Sequence, residues 1–130
     1  MDVIKKKIYY HDTDCGGVVY YANYLKYFEE ARTEFFKNKG IGIVELSKQG
    51  ILFVVRDLNI CYKKPALYGQ IVEVKTKLIK LKAASLQFLH LIEVKGVLLV
   101  SAKTTLASIN KKFKACPIPK NVLSKLKNVL

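Results

Sequence analysis

The chain has 130 residues, 51% of them apolar, and a net charge of +13, which suffices for one hydrophobic core but not for two ordinary domains, so residues 1–130 are expected to form a single domain. No apolar run reaches the roughly 18 residues that a membrane-crossing helix needs. The N-terminal stretch MDVIKKKIYYHD lacks an apolar signal core, and a soluble, cytoplasmic protein is expected.

Cys15, Cys61 and Cys116 are odd in number and widely spaced. They suggest neither a disulfide framework nor a zinc site, and are expected to be buried, reduced thiols. The charge is unevenly placed: residues 1–57 hold 9 Lys and Arg against 8 Asp and Glu, whereas residues 58–130 hold 14 against 2, Glu73 and Glu93. Such a field draws anions, whether nucleic acid, an acidic membrane face or a phosphate-bearing small molecule.

Val3 to Tyr10 reads as a first strand. Residues 22–39 repeat apolar groups at Tyr24, Phe28, Ala31 and Phe35, which predicts one long helix. Lys37 and Lys39 suit its negative end, and Gly40 can supply a left-handed residue after it. Ile43 to Lys48 is a short, helix-compatible turn. Ile51 to Tyr62 is β-rich and nearly continuous, as a central strand would be.

Lys64-Pro65-Ala66 and Gly69 make a break, after which Val72, Val74 and Leu78 alternate with charged residues. Leu86, Phe88, His90, Ile92 and Val94 form the next alternating set. Lys95-Gly96 can turn a hairpin into a strand over Val97 to Ile109. Pro117 and Pro119 precede a last amphipathic segment, Val122 to Val129. The result is an α+β arrangement in which about five antiparallel strands wrap one helix. The sheet edges would then be covered by pairing between copies, as a dimer or a dimer of dimers.

The chemistry is concentrated in HDTDCGGVVYYANY, residues 11–24. Amides opening a helix near Tyr21 to Asn23 have no intrahelical acceptor and can receive a carbonyl oxygen gaining negative charge. Gly16 and Gly17 allow a sharp turn and close approach of a ligand, and Asp14 can face the same carbon as nucleophile or as general base on water. Equally, Asp12 and Asp14 can simply build an Asx-turn. His11 and His90 read as structural residues, the serines lack a nucleophile-elbow context, and the tyrosines suit core or interface as well as base stacking.

The stretch YYHDTDCGGVVYYANYLKYFEEART resembles the N-terminal signature of the 4-hydroxybenzoyl-CoA thioesterase family, in its YbgC-type acyl-CoA thioesterase branch. Asp14, Gly17, Val19, Tyr20, Asn23 and Tyr24 fall at the family's spacing. A second block, Tyr62 to Gly69, is similar to the family's segment between its second and third strands. The resemblance implies the hotdog fold and hydrolysis of acyl-CoA to free acid and coenzyme A, with Asp14 as the catalytic carboxylate and the backbone amide of Tyr21 polarising the thioester.

Gly17, Val19 and Asn23 would lie against the substrate, and Lys63, Lys64, Lys80 and Lys82 would meet the coenzyme A phosphates. The branch usually carries histidine where this chain has Tyr21, so only the backbone role is expected there. Another hotdog branch places its carboxylate on the helix, which keeps Glu29, Glu30 and Glu34 as rivals. No metal or cofactor is implied, coenzyme A being part of the substrate. The excess positive charge suits an acyl carrier protein or an acidic membrane surface, with no nucleic acid expected. Two rival readings are a non-catalytic nucleic-acid or anionic-lipid binding module and a hotdog enoyl-thioester hydratase. The hydratase would want an Asp/His pair in the pocket, which His11 or His90 would have to approach.

Overall fold

A computed structural model describes all 130 residues. Its elements are β1 (Asp2–Lys7), α1 (Tyr24–Asn38), α2 (Ile43–Lys48), β2 (Leu52–Tyr62), β3 (Ile71–Leu81), β4 (Ser85–Val94), β5 (Val97–Ile109) and α3 (Lys120–Lys127). The strands form one antiparallel sheet in the order β1-β3-β4-β5-β2.

The helical stripe sits where its spacing puts it. Tyr24, Tyr27, Phe28, Ala31, Phe35 and Phe36 are buried along one face of α1, and full burial of a side chain of this size contributes about 1.5–3 kcal/mol. Gly40 follows the helix at φ +72°, a conformation glycine adopts without Cβ strain. On β3, Val72, Val74, Thr76 and Leu78 face inward, while Lys75 on the outer face pairs with Glu93 of β4 at 3.1 Å. Lys95 and Gly96 both have positive φ, the geometry of a tight hairpin turn matched to strand twist. The last segment forms α3, whose Val122 and Leu126 pack with Ile118, Phe35 and Phe88.

Phe28 stacks on His90 at 4.8 Å between ring centroids. His90 is fully buried, as its place on an apolar strand face predicts. Its Nε2 lies 3.4 Å from Arg32 Nη1, a donor only, so Nε2 accepts and Nδ1 carries the proton toward Thr76 Oγ1 at 3.3 Å. Burial first, and then the Arg32 charge, push its pKa down to about 3.

Three expectations are corrected. β1 ends at Lys7 rather than Tyr10, because Asp12 Oδ2 accepts the Tyr9 amide at 2.8 Å and residues 10–12 close into a 3₁₀ turn. β2 is an edge strand, not a central one, and pairs only with β5. Its apolar run is continuous because Phe53, Leu58 and Ile60 pack against the core, Val55 opposite Leu106 lines the open margin of that same face beside Phe36, and only Val54 points to the other side. The cysteines are not buried: Cys15 tops a hairpin, Cys61 lies on the exposed side of β2, and Cys116 is half-buried in the segment before α3.

Candidate active site

Residues 12–20 form a tight hairpin. Thr13 bridges Val19, the Asp14 amide donates to Val18 O at 2.9 Å, and the Tyr20 amide donates to Asp12 O at 3.0 Å. At the tip, Asp14 Oδ1 accepts the Gly16 amide at 2.7 Å, an Asx-turn. The turn reading is therefore realised, yet it occupies only one oxygen; Oδ2 makes no protein hydrogen bond, and the carboxylate stays exposed. Gly17 has φ +78° and offers its carbonyl to the Tyr68 amide at 3.2 Å.

Asp12 is the buried counterpart. Its side chain holds the Tyr9 amide, and its carbonyl accepts both the Tyr20 amide and Asn23 Nδ2, the latter at 2.8 Å. Asn23, expected beside the substrate, thus spends its amide on clamping the hairpin to the start of the helix. The Tyr27 hydroxyl is also buried and lacks a hydrogen-bond partner, and burial together with the nearby Asp12 charge raises its pKa.

The two segments that carry the family resemblance meet here. The Val19 amide donates to Ala66 O at 2.9 Å, Val18 bridges Leu67, and Tyr24 Oη accepts the Ala66 amide at 3.1 Å. Tyr62 Oη donates to the Tyr21 carbonyl at 3.2 Å and its ring meets those of Tyr21 and Tyr24. Burial raises the pKa of Tyr24 and of Tyr62 above the ordinary phenol value.

Residues 21–23 form a 3₁₀ turn that runs directly into α1. The Tyr21 amide opens that turn and has no protein acceptor. Beside it lies a cleft of about 270 Å³ lined by Val19, Tyr21, Tyr24, Tyr62, Lys63, Lys64 and Pro65. The expected residues Val19, Tyr21, Lys63 and Lys64 therefore converge.

Asp14 and Gly17 stand on the adjoining hairpin, outside the cleft wall. Lys80 and Lys82 lie apart, around a smaller hollow of about 100 Å³ with Arg56, Gln87 and Thr105. They are at the far end of β3, whose near end pairs Ile71 with Lys7 beside the hairpin; a strand of this length separates the two ends by about 30 Å. Tyr62 was not singled out from the sequence as a site residue. Its aromatic character one position before Lys63-Lys64-Pro65 was the available signal.

The rival residues are elsewhere. Glu29, Glu30 and Glu34 lie on the open face of α1, where Glu30 pairs with Lys6 at 3.6 Å. His11 is exposed beside Asp12, its Nδ1 3.8 Å from Oδ1, and His90 is enclosed in the core. Neither histidine reaches the cleft as the partner a hydratase would need.

The thioesterase-like superfamily model matches residues 9–126. The chain is 31% identical over 123 residues to the acyl-CoA thioester hydrolase YbgC of Escherichia coli O6:H1, covering 93% of this chain and 92% of that protein. It is 35% identical to the acyl-CoA thioesterase YbgC of Haemophilus influenzae over 118 residues, 89% of this chain and 87% of that one. Among solved structures, the Thermus thermophilus hypothetical protein TT1821 superposes with a TM-score of 0.94 at 31% identity, with both chains fully covered.

Proposed function

The chain belongs to the thioesterase-like superfamily, as a YbgC-type thioester hydrolase of hotdog fold, and we propose that it hydrolyses acyl-CoA to the free acid and coenzyme A at the cleft beside Tyr21. The observation that carries this reading is the unpaired Tyr21 amide, which opens a helix next to a cleft rimmed by Lys63 and Lys64. A thioester carbonyl set against that amide gains a hydrogen bond that strengthens as negative charge develops on its oxygen.

Asp14 supplies the other half. Its carboxylate either takes a proton from water as the water oxygen attacks the carbonyl carbon, or attacks that carbon itself to give an anhydride that water then opens. In both routes the carbon–sulfur bond breaks, the thiolate leaves with its electron pair and is protonated, and the acid is released. Gly16 and Gly17 keep the approach to Asp14 free of side chains.

The phosphates of coenzyme A suit Lys63 and Lys64, mobile point charges whose contacts are sensitive to salt. Lys80 and Lys82 join the same site only through a second copy. Antiparallel pairing of two β2 edges turns the second chain end for end, which carries its Arg56, Lys80 and Lys82 end toward the Tyr62 end of the first. The active unit is then a homodimer, able to associate further into a tetramer. Release of free thiol from acetyl-, butyryl-, benzoyl- and palmitoyl-CoA tests the activity and its chain-length preference. Thiol release by none of them would overturn the reading.

A further inference from the structure

The turn that follows β5 is unrelated to the cleft, and it is built in an unusual way. Phe113 has φ +62°, a left-handed conformation that is a genuine outlier for a bulky aromatic residue, and its side chain is 80% exposed. The turn around it is nonetheless firmly held. Asn110 Oδ1 accepts the amides of Lys112 and Lys114 at 2.9 and 3.2 Å. The Phe113 amide donates to Asn110 O at 2.9 Å, the Asn110 amide donates to Lys114 O at 2.9 Å, and Ile109 bridges Ala115. The strain thus serves to hold an aromatic ring out into solvent between three exposed lysines, Lys111, Lys112 and Lys114.

The surroundings extend this charge. Lys111 lies against Gly50, next to the end of α2 and its exposed Lys48. None of these lysines has an acidic partner, and no Asp or Glu follows Glu93 in the chain.

We propose that the turn at residues 110–114 docks this protein on bilayers that contain anionic phospholipid, with Phe113 entering the interfacial layer and the lysines meeting the headgroups. A rigid protruding aromatic with a cationic collar fits a flat, deformable anionic surface. Peripheral binding of this kind combines apolar insertion with electrostatic attraction, and each lysine near such a surface adds to it. A folded acidic protein would have to present a socket for the ring. A nucleic acid would be held by the lysines with or without it.

The test is co-sedimentation of the full chain with vesicles of phosphatidylglycerol and phosphatidylcholine, beside vesicles of phosphatidylcholine alone. Phe113→Asn removes the ring while placing at that position a residue that tolerates the left-handed backbone, so the fold is kept. Lys111→Gln with Lys112→Gln removes two charges. Binding is expected to the anionic vesicles only and to fall steeply with salt. It should weaken about thirtyfold in the double lysine variant, taking about 1 kcal/mol for each charge, and at least severalfold in Phe113→Asn.

Equal binding to neutral vesicles, absence of binding to anionic ones, or undiminished binding by Phe113→Asn would overturn the proposal. So would duplex DNA binding that depends on the lysines but not on Phe113, or a change of oligomeric state in Phe113→Asn by sedimentation velocity. Thiol release from acyl-CoA by Phe113→Asn is expected to equal that of the parent chain, so that vesicle binding and hydrolysis are read separately.

Discussion

Asp14 Oδ1 accepts the Gly16 amide at 2.7 Å, and a Cβ placed on residue 16 would stand 3.2 Å from that same oxygen. Glycine at this position therefore permits the carboxylate orientation on which the proposed chemistry rests. Asp14→Asn keeps the Asx-turn, because the amide oxygen can still accept, but removes the charge. Thiol release should fall by a factor of about 10²–10⁴, the usual contribution of a positioned acid or base, with the melting temperature unchanged. Gly16→Ala should lower kcat more than it raises KM, by about tenfold. Full activity in both variants would move the chemistry away from this hairpin.

Tyr21 provides a test of backbone against side chain. Tyr20, at φ −61° and ψ 128°, already has the extended conformation favoured before proline, and proline is tolerated at the first position of a helix. Tyr21→Pro should therefore fold and lose only the amide hydrogen and the ring. A drop of about 10²–10³ in kcat is expected for losing one such donor, against near-normal turnover in Tyr21→Phe. An equal drop in Tyr21→Phe would assign the role to the phenol, and near-normal turnover in Tyr21→Pro would remove the amide from the mechanism.

His90 gives the fold an acid limit. Its pKa is near 3 in the folded chain against 6.5 as the ordinary value, so between these limits the unfolded chain binds more protons. The contribution of neutral His90 is complete above about pH 6.5 and is lost as pH falls toward 3, at up to about 1.4 kcal/mol per pH unit. Denaturant midpoints measured from pH 7 to pH 4 should drop accordingly. His90→Gln, which can still hydrogen-bond to Arg32 and Thr76, should flatten that slope.

Core packing should follow burial. Phe28 and Phe88 are at most 1% exposed, and replacement of either by alanine is expected to cost about 3–5 kcal/mol in urea unfolding. Val44, exposed on α2, should change stability by no more than about 0.5 kcal/mol when replaced by alanine.

Local physics made most of the fold legible. The stripe from Tyr24 to Phe35, the alternation on β3 and β4, and the Lys95-Gly96 turn each depend on neighbouring residues, and each formed where its pattern lay. What was hidden depends on partners distant in the chain. A run such as Ile51 to Tyr62 is equally apolar whether it is central or an edge with one side awaiting a neighbour, so its place beside β5 was not readable. The retreat of β1 to Lys7 follows from one side chain, Asp12, capturing the Tyr9 amide.

In the site, the resemblance located the hairpin and the block at residues 62–69. Their mutual docking, and the bond from Tyr62 to the Tyr21 carbonyl, required the folded chain. The spacing of Asp14 and Gly16 left both a turn and a reactive carboxylate open, and the single occupied oxygen accommodates the two together.

The outer rim of β2 leaves a ladder of backbone groups and two valines facing solvent. A solitary copy is thus an adhesive surface, and dilution changes the protein's durability as well as its assembly. Its melting midpoint should climb with concentration, and preparations kept dilute should lose material to irregular strand addition before any denaturant is added.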